Sequence, residues 1–491
     1  MGAASAAIFL ISLLFSPPTP AADVELRAAG EVVRIATEGG LPVHWVSCAG
    51  ACDDAGAARH AIVGNGDGAM RWVADEGLDA EAMTRVVYAA HVSQTPDAVT
   101  AVLTSLDSVG GRPLVQRYEL SRASHSLRIH LMTLPGVDLR MSTGPGFIPE
   151  QMPGFGAVFS GVDAVQVTTS GQKEIDLGEA GIGEVSVTRT AWLGIRSRFW
   201  AWLAQPSGDV VTVAAATGLN QWAIDWRAPK GELGLTFYAG PVQWKDLRVV
   251  SPELTELLFA ALWEPLRWLC FGLYFLLGFI TASVADVGLA IILLSLAVKI
   301  LLFPLTRIAD RWQQEVNRIQ SRIQPKIAAI KQQFRGEEAH NRTLQVYRDE
   351  GVHTLFTLKS LAGFAIQVPM FIAAFDMLAD NFALSGARLA WIDDLAAPDR
   401  LAALPVTMPF FGGHLNLLPV LMTLITVLSA LTERDDSLTP ALLRRQQRQL
   451  YLMAGGFFLL FYTFPAGMVL YWTANNLWHL LKVQTGRLLS R

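Results

Sequence analysis

Residues 287–305 have the sequence VGLAIILLSLAVKILLFPL, in which Lys299 carries the one charged side chain. A helix of this length is about 28 Å long, close to the ~30 Å hydrocarbon core of a bilayer. The stretch therefore predicts a membrane-spanning helix with an amine inside it. Such an amine costs about 2.5–3.5 kcal/mol on insertion scales, and it normally faces a partner or a water-filled cavity. The alternative is a snorkelling lysine, since Lys299 lies roughly 10 Å from the charged end of the helix.

Further apolar runs follow this helix, and a charged block interrupts them. Residues 307–356 are rich in arginine and predict a cytoplasmic helical hairpin whose first arm is kinked by Pro325. Basic residues also dominate 432–449 and the C-terminal tail, whereas 380–413 carries four aspartates. The positive-inside rule then places the hairpin and the C-terminus in the cytoplasm. The core, 286–491, is predicted to cross the membrane five times, near 287–306, 358–379, 414–431, 447–464 and 467–483.

Composition excludes several classes of protein. Of the 491 residues, 52% are hydrophobic and only 17% are charged, against about 25% charged in soluble globular chains. A wholly soluble enzyme and a disordered chain are therefore both disfavoured. The formal net charge is −4, so there is no basic excess of the kind that binds DNA directly.

The N-terminal half has a different pattern. Residues 1–22 contain a short apolar run followed by small residues, which predicts a signal peptide or a short anchor. Residues 23–250 contain many short β-rich stretches between turn residues, as in an exported β-sandwich domain. Residues 251–285 are apolar but contain Glu264, Pro265 and Arg267, which predicts an interfacial amphipathic helix. A spanning helix from Leu266 to Ala282 is the alternative.

The three cysteines do not form a metal motif. Cys48 and Cys52 lie close together in the exported segment, where a disulfide is favoured over two free thiols or a metal site. Cys270 lies in an apolar stretch and is predicted to be buried. No cofactor or metal is implied, and no nucleophile–base arrangement accompanies Lys299, so the sequence does not predict an enzyme.

Polar residues in the apolar segments are candidates to share a hydrated groove with Lys299, or to join neighbouring helices by hydrogen bonds. They are Ser295, Gln367, Thr423, Thr426, Thr473, Asn475 and Asn476, and the aromatic residues Tyr471 and Trp472 are candidates to contact a substrate. Asp376 is predicted to lie too far along its helix to pair with Lys299. The basic hairpin is either a solvated surface or a docking site for an acidic partner.

The order and spacing of five motifs resemble the YidC-type membrane protein insertases. The motifs are AVKILLFPLT at 297–306, IQPKI at 323–327, IQVPMF at 366–371, WIDDL at 391–395 and FPAGMVLYWTANN at 464–476. Two weaker motifs resemble the large periplasmic β-supersandwich of Gram-negative members: TAWLGIRSRFW at 190–200 and FYAGP at 237–241. Lys299 stands where the family usually has arginine, and residues 351–364 lack its usual N-P-x-x-G pattern.

The resemblance implies an insertase and chaperone of the bacterial inner membrane. Nascent membrane proteins would enter a groove open to the cytoplasm, with the ribosome, the Sec translocon and lipids as partners. The cytoplasmic hairpin, with Arg318, Arg322, Pro325 and Lys326, would receive the client or the ribosome. The alternatives are a specialised paralogue with a narrow client set, a small-solute transporter or channel, and a membrane-anchored carbohydrate-active enzyme.

Overall fold

The structure is a computed structural model that divides into two compact units near residue 260, the second of which also contains residues 151–159. The predicted signal or anchor, 1–22, lies outside the described residues. The structure describes residues 23–489 except for 29, 55–56, 64–69, 73–79, 109–111, 133–138, 144–150, 176–181, 187–190, 208–210, 219–220, 229–231, 350, 352–353 and 433–439.

The first unit is built from antiparallel strands. They are β1 (Val24–Ala28), β2 (Glu31–Ile35), β3 (Pro42–Cys48), β4 (Arg59–Val63), β5 (Met70–Trp72), β6 (Tyr88–Gln94), β7 (Ala98–Ser105), β8 (Val115–Ser121), β9 (Ser126–Met132), β10 (Leu139–Thr143), β11 (Val162–Thr168), β12 (Gly171–Glu174), β13 (Ile182–Ser186), β14 (Trp192–Ser197), β15 (Trp200–Pro206), β16 (Val211–Gly218), β17 (Gln221–Ala228) and β18 (Glu232–Pro241). Two short helices belong to the same unit, α1 (Ala80–Arg85) and α2 (Trp244–Val250).

These strands form three sheets that share one core. The sheets have the orders β1-β2-β3-β4, β13-β16-β17-β10-β5 and β12-β11-β14-β15-β18-β9-β8-β7-β6. Alternate residues of β8 are buried, as expected for a strand with one face toward the core. Trp45, Trp226 and Phe237 come from the three different sheets and lie in the same hydrophobic cluster. The β-rich sandwich expected for 23–250 is therefore observed.

A disulfide joins Cys48, the last residue of β3, to Cys52 in the turn that follows. Cys270, in the second unit, is a buried free thiol.

His60 in β4 makes this unit sensitive to acid. Its ring stacks on Trp200 with 5.3 Å between centroids, and burial lowers the pKa of His60 from 6.5 to about 4. The folded unit therefore binds fewer protons than the unfolded chain between these values, and stability is lost as pH falls through this window. Between pH 7 and pH 5 we expect this loss to be about 2 kcal/mol.

We expect His60→Phe, which retains a stacked ring but cannot titrate, to lose less stability on this acid shift. The measurement is the unfolding transition of the purified protein at pH 7 and pH 5, followed by intrinsic tryptophan fluorescence. Equal losses in the wild type and in His60→Phe would contradict the assignment to His60.

The second unit is helical. Its helices are α3 (Glu264–Val284), α4 (Val287–Gln333), α5 (Gly336–Asp349), α6 (Thr354–Ala379), α7 (Leu417–Thr432), α8 (Pro440–Phe461) and α9 (Ala466–Leu489), and a hairpin of β19 (Ala402–Met408) and β20 (Gly412–Leu415) lies between α6 and α7. The turn between α4 and α5 ends at Gly336, whose φ of +63° favours glycine. Helix α4 runs without a break through Pro304 and Pro325. The first arm of the predicted hairpin is therefore the second half of α4.

The segment 251–285 differs from the single helix predicted from the sequence. Residues Pro252–Leu257 form a 3₁₀ helix, and α3 begins only at Glu264. Pro265 lies in the first turn of α3, where its missing N–H removes no helical hydrogen bond. Pro265 thus lies at the start of α3 and does not interrupt it.

Among the described residues, α3 and α4 are long and apolar enough to cross a membrane. For α3 this agrees with the alternative of a spanning helix from Leu266. Shorter apolar helical stretches lie at Ala365–Ala379 and Leu417–Ser429.

Candidate substrate groove

Lys299 lies in the middle of the apolar part of α4. Asp286 caps the start of this helix, since its Oδ1 accepts a hydrogen bond from Leu289 N at 2.7 Å. At 1.5 Å per residue, Lys299 is roughly 20 Å from that cap and about 12 Å from Arg307, where the charged part begins. The helix thus holds the amine well inside the apolar segment.

The amine of Lys299 is bound by α9. Its Nζ donates to the backbone oxygen of Asn475 at 2.8 Å and to Oδ1 of the same residue at 2.9 Å. Both acceptors are neutral, so the positive charge is solvated by dipoles rather than cancelled by a carboxylate. Asp376 is not the acceptor in these two bonds, which agrees with the depth argument from the sequence.

A cavity of about 360 Å³ lies beside Lys299. We call it the polar cavity; α4, α6 and α9 supply its walls. Six predicted groove residues line it: Lys299, Gln367, Tyr471, Trp472, Asn475 and Asn476. The remaining lining residues are Val298, Leu302, Phe303, Thr306, Ala309, Asp310, Gly363, Ile366, Met370, Phe371, His479 and Lys482.

Ser295, Thr423, Thr426 and Thr473, also predicted for the groove, are not among these lining residues. Ser295 is buried and accepts a hydrogen bond from Trp478 Nε1 at 3.1 Å. Thr426 Oγ1 accepts from Asn476 Nδ2 at 2.8 Å, and Thr423 Oγ1 donates to the carbonyl of Pro419, one turn back in α7. In the first two cases the hydroxyl joins neighbouring helices, which was the alternative considered for these residues.

Asp310, His479 and Lys482 line the polar cavity but were missed in the sequence. Lys482 Nζ lies 3.8 Å from Asp310 Oδ2, and both side chains are more than half exposed. They mark the end of the cavity nearest the charged part of α4. Helical spacing could have found His479 and Lys482, because they follow Asn475 at intervals of four and three residues in α9.

Aromatic rings pack around Trp472, toward the opposite end of the polar cavity. The ring of Trp472 lies 4.8 Å from Phe371 and 5.5 Å from Phe457, between centroids. Phe461 is fully buried and its ring is 5.5 Å from that of Phe464. Phe461 is therefore part of the core of the second unit.

The predicted hairpin residues are not brought into the polar cavity. Arg318, Arg322, Pro325 and Lys326 are all exposed on α4, whereas Val316 and Ile323 on the same stretch are buried. The basic side chains thus form a solvent-facing stripe. Within the described part of the chain, no group of three or more histidine, cysteine or acidic residues is arranged to hold a metal ion.

An apolar helix long enough to cross a membrane, with an amine that lines a polar cavity, is typical of helical membrane proteins. Residues 279–486 match the family model described as "60Kd inner membrane protein". This part of the chain is similar to that family, which agrees with the resemblance to the YidC-type insertases inferred from the sequence motifs.

Two curated relatives are both named membrane protein insertase YidC. The protein of Chlamydia caviae is 29% identical over 266 residues, which cover 50% of this chain and 32% of that protein. The protein of Syntrophobacter fumaroxidans is 30% identical over 248 residues, covering 49% of this chain and 41% of that protein. The matches therefore span less than half the length of these relatives. A crystal structure of an active YidC insertase with its first transmembrane domain resolved aligns over 98% of this chain and 97% of that chain at 17% identity, with a TM-score of 0.36.

Proposed function

We propose that this protein inserts newly made membrane proteins into the bacterial inner membrane and is not an enzyme. One observation carries the proposal: an amine inside an apolar helix lines a polar cavity and is held by neutral oxygens. A cation in this setting stays attractive to acidic or polar groups of a passing chain, since no carboxylate neutralises it in these bonds.

The proposed topology has five spans. They are the first part of α4, followed by α6, α7, α8 and α9, with the β-rich unit in the periplasm and the C-terminus in the cytoplasm. The basic residues of the α4–α5 hairpin support this orientation. The exposed Asp310–Lys482 end of the polar cavity then faces the cytoplasm, and the aromatic end faces outward.

The first step of insertion is entry of a polar client terminus into the polar cavity. The amides of Gln367, Asn475 and Asn476, together with water in the cavity, solvate the client terminus there. Lys299 attracts an acidic residue in the client at the same time. The barrier falls because a polar group in the cavity has a shorter low-dielectric path still to cross.

The second step is transfer of the apolar client segment to lipid along the helices. The exposed side chains Ile300 and Leu301 on α4, with Val368 on α6, give an apolar surface beside the cavity. The driving force is burial of the client helix, at about 25 cal/mol per Å² of apolar surface. Neither nucleotide hydrolysis nor a metal is needed for this step.

The exposed stripe Arg318, Arg322 and Lys326 is proposed to receive the client or the acidic surface of a ribosome. The Sec translocon and lipids are proposed as further partners from the family resemblance. A solvated surface without a partner remains the competing interpretation of this stripe, and ribosome binding by a charge-reversed variant distinguishes the two.

A small-solute transporter requires a path to both sides of the membrane. The cluster around Trp472, Phe371 and Phe457 occupies the outward end of the polar cavity, which favours the insertase. A specialised paralogue differs only in client range, and comparing several client proteins in one assay identifies it.

The test is reconstitution of the purified protein in liposomes with a radiolabelled single-span client. Protease protection scores insertion, and a fluorescent solute trapped in the same liposomes scores leakage. We expect protected client without leakage. Solute flux without client protection would indicate a channel, and failure of both would contradict the proposal.

The β-rich unit is predicted to be dispensable for insertion, because the polar cavity belongs entirely to the second unit. Deleting 30–230 should leave at least about half of the insertion rate if the cavity carries the function. This deletion also removes 151–159, in which Gly156 N donates to Thr463 Oγ1 at 3.1 Å.

A second deletion that retains 151–159 on short Gly-Ser linkers is the matched control. It should show the same insertion rate and a higher unfolding temperature than the full deletion. Complete loss of insertion in both folded variants would contradict this division of labour.

A further inference from the structure

The hairpin of β19 and β20 is unusually apolar for a loop. Residues 401–432 contain no Asp, Glu, Lys or Arg. Its side chains are nevertheless exposed, with Val406 70% exposed, Met408 41% and Phe410 42%. Exposed apolar side chains that cluster in this way mark a surface that contacts something other than water.

The hairpin lies across the helix ends instead of projecting from them. At its tip, the ring of Phe411 is 5.2 Å from that of Tyr462, at the end of α8. At its base, Asn416 Nδ2 donates to the carbonyl of Tyr462 at 2.6 Å, and Tyr462 OH donates to the carbonyl of His414 at 3.2 Å. Because tip and base contact the same residue, the whole hairpin is held at the level where α7 begins and α8 ends.

Residues 151–159 extend the same surface. The ring of Phe155 packs edge-on against Phe410 at 4.9 Å, and Val158 is 73% exposed. We call Phe155, Val158, Val406, Met408 and Phe410 the outer apolar patch. Asn416 alone separates the hairpin from α7, on which an exposed apolar row continues through Leu424, Leu428 and Leu431.

We propose that the outer apolar patch inserts into the headgroup–acyl boundary of the outer leaflet. The inference rests on the proposed function for its membrane topology, and it adds a lipid contact to the loop between α6 and α7. Continuity with the exposed row on α7 favours lipid as the occupant, since that row faces the bilayer in the proposed topology. Apolar and aromatic side chains held at the level of helix ends are typical of this boundary.

The test uses an environment-sensitive fluorophore on Val406→Cys in a Cys270→Ala background, with the Cys48–Cys52 disulfide intact. The protein is reconstituted in vesicles of phosphatidylcholine and phosphatidylglycerol. Quenching is measured with lipids that carry a nitroxide near the headgroup or near the chain end, and with aqueous iodide. We expect about twofold stronger quenching by the headgroup-proximal nitroxide than by the deep one.

Two further labelled sites make every outcome decisive. Asp97→Cys, in an exposed turn of the β-rich unit, reports free access to iodide, and Leu424→Cys reports the exposed face of α7. If Leu424 is not quenched by either lipid, the proposed topology fails. If Leu424 is quenched while Val406 is as accessible to iodide as Asp97, the lipid contact alone is overturned. Shielding of Val406 from both quenchers, varying with protein-to-lipid ratio, would assign the patch to a second copy and also overturn it.

Discussion

Lys299→Glu is expected to reduce membrane insertion at least about tenfold, whereas Lys299→Arg should keep most of it. A glutamate at this position would face two oxygens of Asn475 that now accept hydrogen bonds from the amine. Acceptors would then oppose acceptors in a low-dielectric site, and the cavity would repel acidic clients. Lys299→Ala should lie between the two, since it removes the attraction without adding repulsion.

The measurement is the initial rate of protease-protected client in liposomes containing equal amounts of folded protein. Lys331→Glu is the matched control, because it makes the same charge change on an exposed part of the same helix. We expect that control to change the rate less than about twofold. Full insertion by folded Lys299→Glu would remove the cavity charge from the mechanism.

An acidic client should show this effect most strongly. If Lys299 acts by charge, a client with two acidic residues near its leading terminus loses more rate in Lys299→Ala than the same client with amides there. If Lys299 acts only by holding α4 against α9 through Asn475, both clients should lose the same fraction. The pair of clients therefore separates attraction from packing, which a single variant does not.

The sequence was informative where a residue's chemistry conflicts with its surroundings. Lys299 was recognised because an amine in an apolar helix needs a polar environment. In the structure, Asn475 provides that environment. Gln367 and Asn476 were predicted as groove residues by the same reasoning. Thr423 and Thr426 were predicted for the groove because the sequence does not determine how α7 is rotated about its axis. Hydroxyls satisfied by a carbonyl in their own helix give no signal of which way they face.

Contacts between distant segments could not be predicted from the sequence. The motif WIDDL marked the loop after α6 only by resemblance, and nothing in its composition indicated which aspartate is buried. Trp391 bonds to Asp399, outside the motif, because the loop folds back on itself. Such pairings depend on tertiary geometry, and periodicity within one element does not encode them.

Asp399→Ala is expected to destabilise the second unit by about 3 kcal/mol. The side chain is only 4% exposed. Its Oδ2 accepts hydrogen bonds from Leu417 N at 2.8 Å, Leu418 N at 2.7 Å and Trp391 Nε1 at 3.1 Å. Two of these donors are backbone amides in the first turn of α7, which have no acceptor within the helix. The helix dipole also favours a negative charge at this position. Alanine would leave these three donors, one buried and two partly buried, without this acceptor.

The free energy of unfolding, measured by denaturant titration in mild detergent, checks this expectation. Asp399→Asn should lose about half as much as alanine, since an amide oxygen can still accept but carries no charge. Asp393→Ala is the matched control, because its carboxylate lies in the same loop and is 94% exposed. A loss in Asp399→Ala no larger than in Asp393→Ala would mean that other contacts, such as Asn416 with Tyr462, hold the start of α7. The cap would then be redundant, and the loop would be anchored from the α8 side.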